Sequence, residues 1–146
     1  MSDVRNLFEN YSFEVVGKLH DTFGGDFDKL TDDEVEVVRI WRLEADMYNG
    51  GFIQFFCNWG FDNFTKTQKV LRKIKAEKSL DLITECEQII SKMKDDDRIK
   101  ELWDIPKFMN EYLTEEESKR LDELDELYWT NVDDIQKIGY DIYLSK

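Results

Sequence analysis

Tyr48-Asn49-Gly50-Gly51-Phe52-Ile53-Gln54-Phe55-Phe56-Cys57-Asn58, followed directly by Trp59, is the stretch on which the fold turns. Phe52, Phe55, Phe56 and Trp59 recur at i, i+3, i+4 and i+7, which is one face of a helix. Large aromatics dominate the energetics of protein cores, so this face predicts a buried aromatic cluster. Gly50-Gly51 ends the preceding helix, because glycine tolerates the left-handed conformation of a helix end. Gln54 falls on a different side, and Asn49 and Asn58 bracket the element, where asparagine satisfies turn and cap groups.

Working outward, the same period continues on both sides. Upstream, Phe8, Tyr11, Val15 and Leu19 recur at helical steps and stop at Gly24-Gly25. Thr31-Asp32-Asp33-Glu34 fits a capping box, in which the threonine hydroxyl and the glutamate satisfy each other's free backbone donors. The helix it opens carries Val35, Val38, Trp41 or Arg42, and Ala45 along one side. Downstream, Phe61 to about Ile74 predicts a further helix through Phe64, Val70, Leu71 and Ile74. Ser79 is placed to cap the next, which has Leu82, Ile83, Cys86, Ile89, Ile90 and Met93 on one face. Asp95-Asp96-Asp97 interrupts, and a turn around Ile99, Leu102 and Trp103 leads to Pro106. Thr114-Glu115-Glu116-Glu117 is a second capping box, opening a helix with Leu121, Leu124 and Tyr128. A last helix from about Asp133 presents Ile135, Ile138, Ile142 and Tyr143. No repeat, linker or alternating strand interrupts this pattern. The expectation is an all-α fold: one compact domain of about seven helices over residues 1–146.

Composition restricts function before any motif does. With 33 Asp+Glu against 20 Lys+Arg, the net charge is −13. Such a surface repels nucleic-acid phosphates and anionic lipid, and it attracts basic protein surfaces. Direct nucleic-acid binding and membrane association are therefore not expected. The charge is also segregated: residues 1–64 carry −8, residues 65–94 carry +4, and residues 95–146 carry −9. MSDVRNLFEN has no apolar run, and no stretch approaches the roughly 20 apolar residues of a membrane span. Cys57 and Cys86 lack CxxC spacing and read as buried free thiols in a reducing compartment, so a cytoplasmic location is expected.

Catalytic chemistry is sparse. The only histidine is His20, near the end of the first helix, where the helix dipole favours it. A histidine base or a multi-histidine metal site is not expected. The chain has no GxSxG, P-loop, HExxH or GxGxxG, and Asp95-Asp96-Asp97 lacks the alternating ligands of a calcium loop. No catalytic residue, metal or cofactor is assigned, and a binding protein is expected rather than an enzyme.

Asn-Gly-Gly-Phe-x-Gln-Phe-Phe-x-Asn, here Asn49, Gly50, Gly51, Phe52, Gln54, Phe55, Phe56 and Asn58, resembles the signature of a bacterial family of acidic DNA-mimic proteins. Weaker likeness runs from about residue 32 to the C-terminus. The resemblance implies an all-helical fold. It also implies binding to a transcription regulator through an acidic surface, in place of DNA; separately, a monomer or homodimer is expected. The motif itself reads as structural. The alternative is an immunity or regulatory protein that neutralises a basic toxin or enzyme.

The acids expected to form the contact face are Glu111, Glu115, Asp122, Asp125 and Glu126. In the helix after Thr114, Glu115, Asp122 and Glu126 fall within about 40° of one another at about 100° per residue, opposite Leu121 and Leu124. Residues four apart on a helix rise about 6 Å, against about 3.4 Å per phosphate along one DNA strand. Lys119 falls in the same row, so the match to a phosphate track is partial.

Overall fold

The computed structural model describes residues 3–145. Seven α-helices and several single turns account for the ordered elements among them, with no strand. Helix α1 spans Val4–Gly17, starts where the Asp3 carboxylate accepts the Arg5 N–H, and runs into a π turn at Lys18–Thr22. It buries Phe8 and Val15, with Leu19 beneath the turn.

Helix α2, Asp32–Asn49, opens with the expected capping box between Thr31 and Glu34. Its inner side differs from the expected one. Val37, Val38, Ile40, Leu43 and Met47 are the closed positions, whereas Ala45 is exposed. The reason is position: α2 is the central helix, packed on α1 and the two helices α3 (Phe52–Lys73) and α6 (Glu115–Trp129). Several neighbours widen its buried arc beyond a single stripe.

The aromatic run opens α3. The two helices expected at 52–59 and 61–74 are present as one element kinked at Gly60, where φ is 84°. A Cβ there would sit 3.2 Å from Leu102, so the bend brings the backbone close to the turn Leu102–Asp104. Phe52, Phe55, Phe56 and Phe64 are each 1% exposed, and the Phe56 and Phe64 rings stack with centroids 4.5 Å apart. Each buried ring contributes on the order of 2 kcal/mol of burial energy, so this cluster is a principal source of stability.

Helix α4, Glu77–Ile90, is not capped by Ser79. That residue lies inside the first turn, and its backbone N–H donates to the Asp133 carboxylate at 2.5 Å. A side chain 54 residues away thus does the job assigned to a local one. Pro106 does not end a turn. It sits in the first turn of a short helix, α5 at Ile105–Tyr112, where a missing N–H costs nothing. Helix α6 opens with the second expected capping box, Thr114 with Glu117, and buries Leu121, Leu124 and Tyr128. Helix α7, Ile135–Gly139, continues as a π turn to Leu144, and its end packs against α1. The aliphatic and aromatic interior of all these elements forms one hydrophobic core. Cys57 and Cys86 are free and buried in it. Among the described residues, no helix is long and apolar enough to cross a membrane.

Candidate functional site

The aromatic motif is a structural knot. The Asp46 side chain, 8% exposed, accepts hydrogen bonds from Gln54 Nε2 at 2.9 Å, Asn58 Nδ2 at 2.9 Å and Trp59 Nε1 at 2.6 Å. The Asp46 backbone carbonyl takes the N–H groups of Gly50 and Gly51. One aspartate therefore binds the end of α2 to the first two turns of α3. Asn58 is not a cap: it lies within α3, holds Asp46, and accepts Trp103 Nε1 at 3.2 Å through its Oδ1. Asn49 is exposed at the end of α2 and makes no side-chain hydrogen bond among the described residues.

Gly51 has φ of 105°, and a Cβ on it would lie 2.4 Å from the Asp125 carboxylate. That close approach is used. Asp125 Oδ1 accepts the Phe52 N–H at 2.9 Å, satisfying a free donor at the start of α3. Asp125 was expected on the exposed acidic face. It is instead turned into the seam between α6 and α3, and burial raises its carboxyl above the usual range.

The remaining expected acids separate into two groups. Glu111, on α5, is exposed but engaged: Arg98 donates to it at 2.5 Å and holds Asp96 with the same guanidinium. On α6, the flank beside α4 is neutralised. Arg120 bridges to Glu85 and Glu123, and Lys92 reaches Glu117. By contrast Glu115, Asp122 and Glu126 are exposed, and none of them forms an ion pair among the described residues, even with Lys119 in the same row. Arg120 of α6 and Lys92 thus neutralise one flank, while the row of Glu115, Asp122 and Glu126 has only the exposed Lys119 among its carboxylates. The basic segment concentrates elsewhere, with Lys69, Arg72, Lys75 and Lys78 exposed around the α3–α4 turn.

A second feature was not anticipated. A cleft of about 320 Å³ lies between α1 and α2 and is walled by Phe8, Phe13, Trp41 and Tyr48. Glu44 lines it, 9% exposed. Its Oε2 accepts the Tyr128 hydroxyl, and its Oε1 accepts Gln136 Nε2 at 2.6 Å. Burial pushes the Glu44 carboxyl up to about 7, against the opposing effect of those two hydrogen bonds. Burial and the neighbouring Glu44 together push Tyr48 up to about 12. The signal in the sequence was two acids, Glu44 and Asp46, flanking the buried positions Leu43 and Met47 of α2. Among the described residues, no group of three or more His, Cys, Asp or Glu could hold a metal ion. Burial raises both thiols, Cys57 to about 11, so neither is a ready nucleophile at neutral pH.

Comparison with protein families gives one match, to a family described as DMP19-like protein, over residues 28–145. No curated protein and no solved structure matches the chain.

Proposed function

The chain belongs to the DMP19-like protein family, and from that premise we propose that it is a non-enzymatic acidic binding protein of the DNA-mimic type, which occupies the basic DNA-binding face of another protein such as a transcription regulator. The observation that carries this reading is the row Glu115, Asp122 and Glu126 on α6, exposed and without ion pairs while the acids on the adjoining flank are neutralised. Unpaired carboxylates repeated along one rigid face provide what a row of phosphates provides: fixed negative charge facing outward for Lys and Arg to meet. The net charge of −13 adds long-range attraction to a basic partner and repulsion from nucleic acid itself. The motif residues support this role from behind, since Asp125 and Gly51 lock α6 to the start of α3 and so fix the direction of the row.

The test is a competition titration on a partner captured from the native cell, with that partner's own DNA site. Protein and DNA should exclude one another, and association should weaken as salt rises. Neutralising the row with Glu115→Gln, Asp122→Asn and Glu126→Gln together should weaken binding. Stability should change by no more than about 0.5 kcal/mol, since exposed substitutions rarely do more. A partner that binds protein and DNA at once refutes mimicry. A partner that is a toxin without a DNA site establishes the immunity alternative.

A further inference from the structure

We propose that the cleft between α1 and α2 is a recognition pocket for the guanidinium of an arginine side chain, presented by the basic partner protein. The inference deepens the proposed function and rests on its basic partner. It comes from features separate from the α6 row.

The cleft is polarised by its lining. Among the described residues, its only acidic lining groups are Glu9 and Glu44, and no Lys or Arg borders it. Glu44 is held by Tyr128 and Gln136, one donor on each oxygen. Each oxygen of the ionised carboxylate has two acceptor positions, so each retains one for an incoming donor above about pH 7. A group so anchored does not reorganise when a cation arrives.

The walls favour an organic cation over a hydrated metal. Phe13 and Trp41 meet edge to face with centroids 6.0 Å apart and planes at 70°, forming a corner of two rings. Tyr48 packs edge-on against Tyr128, the residue that fixes Glu44. Phe13 is 54% exposed and Tyr48 is 49% exposed, so aromatic surface stands open where a side chain would enter. Elsewhere five rings carry the protein's own cations, while the half-exposed Trp103 and Trp129 carry none among the described residues. Arg42 lies 3.9 Å over Trp59, Arg98 lies 4.3 Å over Phe108, and Lys18, Arg39 and Lys94 cover Phe23, Phe27 and Phe61. No internal cation covers Phe13, Trp41 or Tyr48 among the described residues. These rings are open to an external one, and unlike Trp103 and Trp129 they line a cleft with Glu44. Arginine fits better than lysine, because a planar guanidinium stacks on a ring while donating in its own plane to a carboxylate. The volume, about 320 Å³, suits a single side chain.

The experiment is an amide NMR titration of the full chain with N-acetyl-arginine amide, and in parallel with N-acetyl-citrulline amide, its neutral isostere. The arginine probe should give saturable shifts at Ser12, Ala45 and the Trp41 indole, and bind at least about fivefold more tightly than the citrulline probe. Glu44→Gln should remove that preference. Because Glu44 is buried, Phe13→Ala on the exposed wall is the second variant, and it should weaken the arginine probe by about fivefold. Equal binding of the two probes, or shifts scattered over the acidic surface without saturation, overturns the proposal. Binding of n-butylguanidinium with refusal of the blocked arginine would assign the cleft to a free small molecule and overturn the partner assignment. The triple α6 variant should bind the probe normally. Loss of partner binding in that variant with no probe in the cleft would therefore sink this inference alone. Probe binding together with an unaffected triple variant would sink the α6 reading alone.

Discussion

Replacing Glu44 by glutamine tests the electrostatics of the interior directly. The Glu44 carboxyl rises from an ordinary 4.5 to about 7, chiefly through burial. Ionising it in the folded chain therefore costs about 3 kcal/mol more than ionising it in the unfolded chain. The sign follows from proton counting. Between pH 4.5 and 7 the folded state holds a proton here that the unfolded state has released, so stability falls as pH rises through that window. Below it the stabilisation is fully present, and above about 7 it has been lost. Glutamine keeps the shape and an oxygen for the Tyr128 hydroxyl, and it has no charge to bury. The stability difference between Glu44→Gln and the parent should therefore move by up to about 3 kcal/mol in favour of the variant from pH 4.5 to pH 8. Urea unfolding of both proteins at half-unit pH steps measures it. Taking the difference cancels carboxylates elsewhere, such as Asp104, pulled down to about 2 by Lys107 and two backbone donors. A difference flat across the whole range would show that Glu44 ionises freely in the fold, and the account of its burial would be wrong.

Asp46→Ala should leave the donors of Gln54, Asn58 and Trp59 without their acceptor and cost about 3 kcal/mol or more in urea unfolding, with Asp46→Asn intermediate; a loss under about 1 kcal/mol would remove Asp46 from its central role. Phe55→Ala should cost about 3–5 kcal/mol, read as a fall in Tm, while a variant with unchanged Tm and lost partner binding would move the ring to the surface. Gly51→Ala should destabilise by at least about 1–3 kcal/mol, because the residue has φ of 105° and its Cβ would meet Asp125, and Asp125→Ala in the same chain should relieve part of that loss; no relief would refute the collision.

What the sequence discloses here is local, and what it hides is long-range. Both capping boxes, at Thr31 and Thr114, are decided within four residues and appear in the structure as expected. So does the aromatic face of Phe52, Phe55 and Phe56. The expected number of helices is also found, but with different membership. Two expected helices join across the kink at Gly60, and a helix that was not expected, α5, begins at Ile105 with Pro106 in its first turn. The periodicity of its eight residues is too short to stand out. Ser79 and Asp125 changed roles because their partners, Asp133 and Phe52, lie 54 and 73 residues away, beyond the reach of spacing. The exposed row of Glu115, Asp122 and Glu126 was legible from helical angle alone. That Glu111 is paired was not, since Arg98 reaches it from a different turn. The cleft was invisible because its walls come from two helices and its acid reads as one more charge among 33.

The packing of α1 against α7 has a consequence for how the protein is made. Arg5 grips Asp134 through Nε at 2.8 Å, and Phe8 stacks on Tyr143 with centroids 6.2 Å apart. Helix α1 is therefore clasped by residues synthesised well after it, Asp134 lying 129 residues beyond Arg5. Until those emerge, Phe8 lacks the ring that covers it, and Glu44 lacks both Tyr128 and Gln136. The interval in which a nascent chain shows unfinished apolar surface grows with the sequence separation of the partners that close it. Chaperone engagement during translation should accordingly centre on residues 4–19 and end only when the segment around Tyr143 is free to fold.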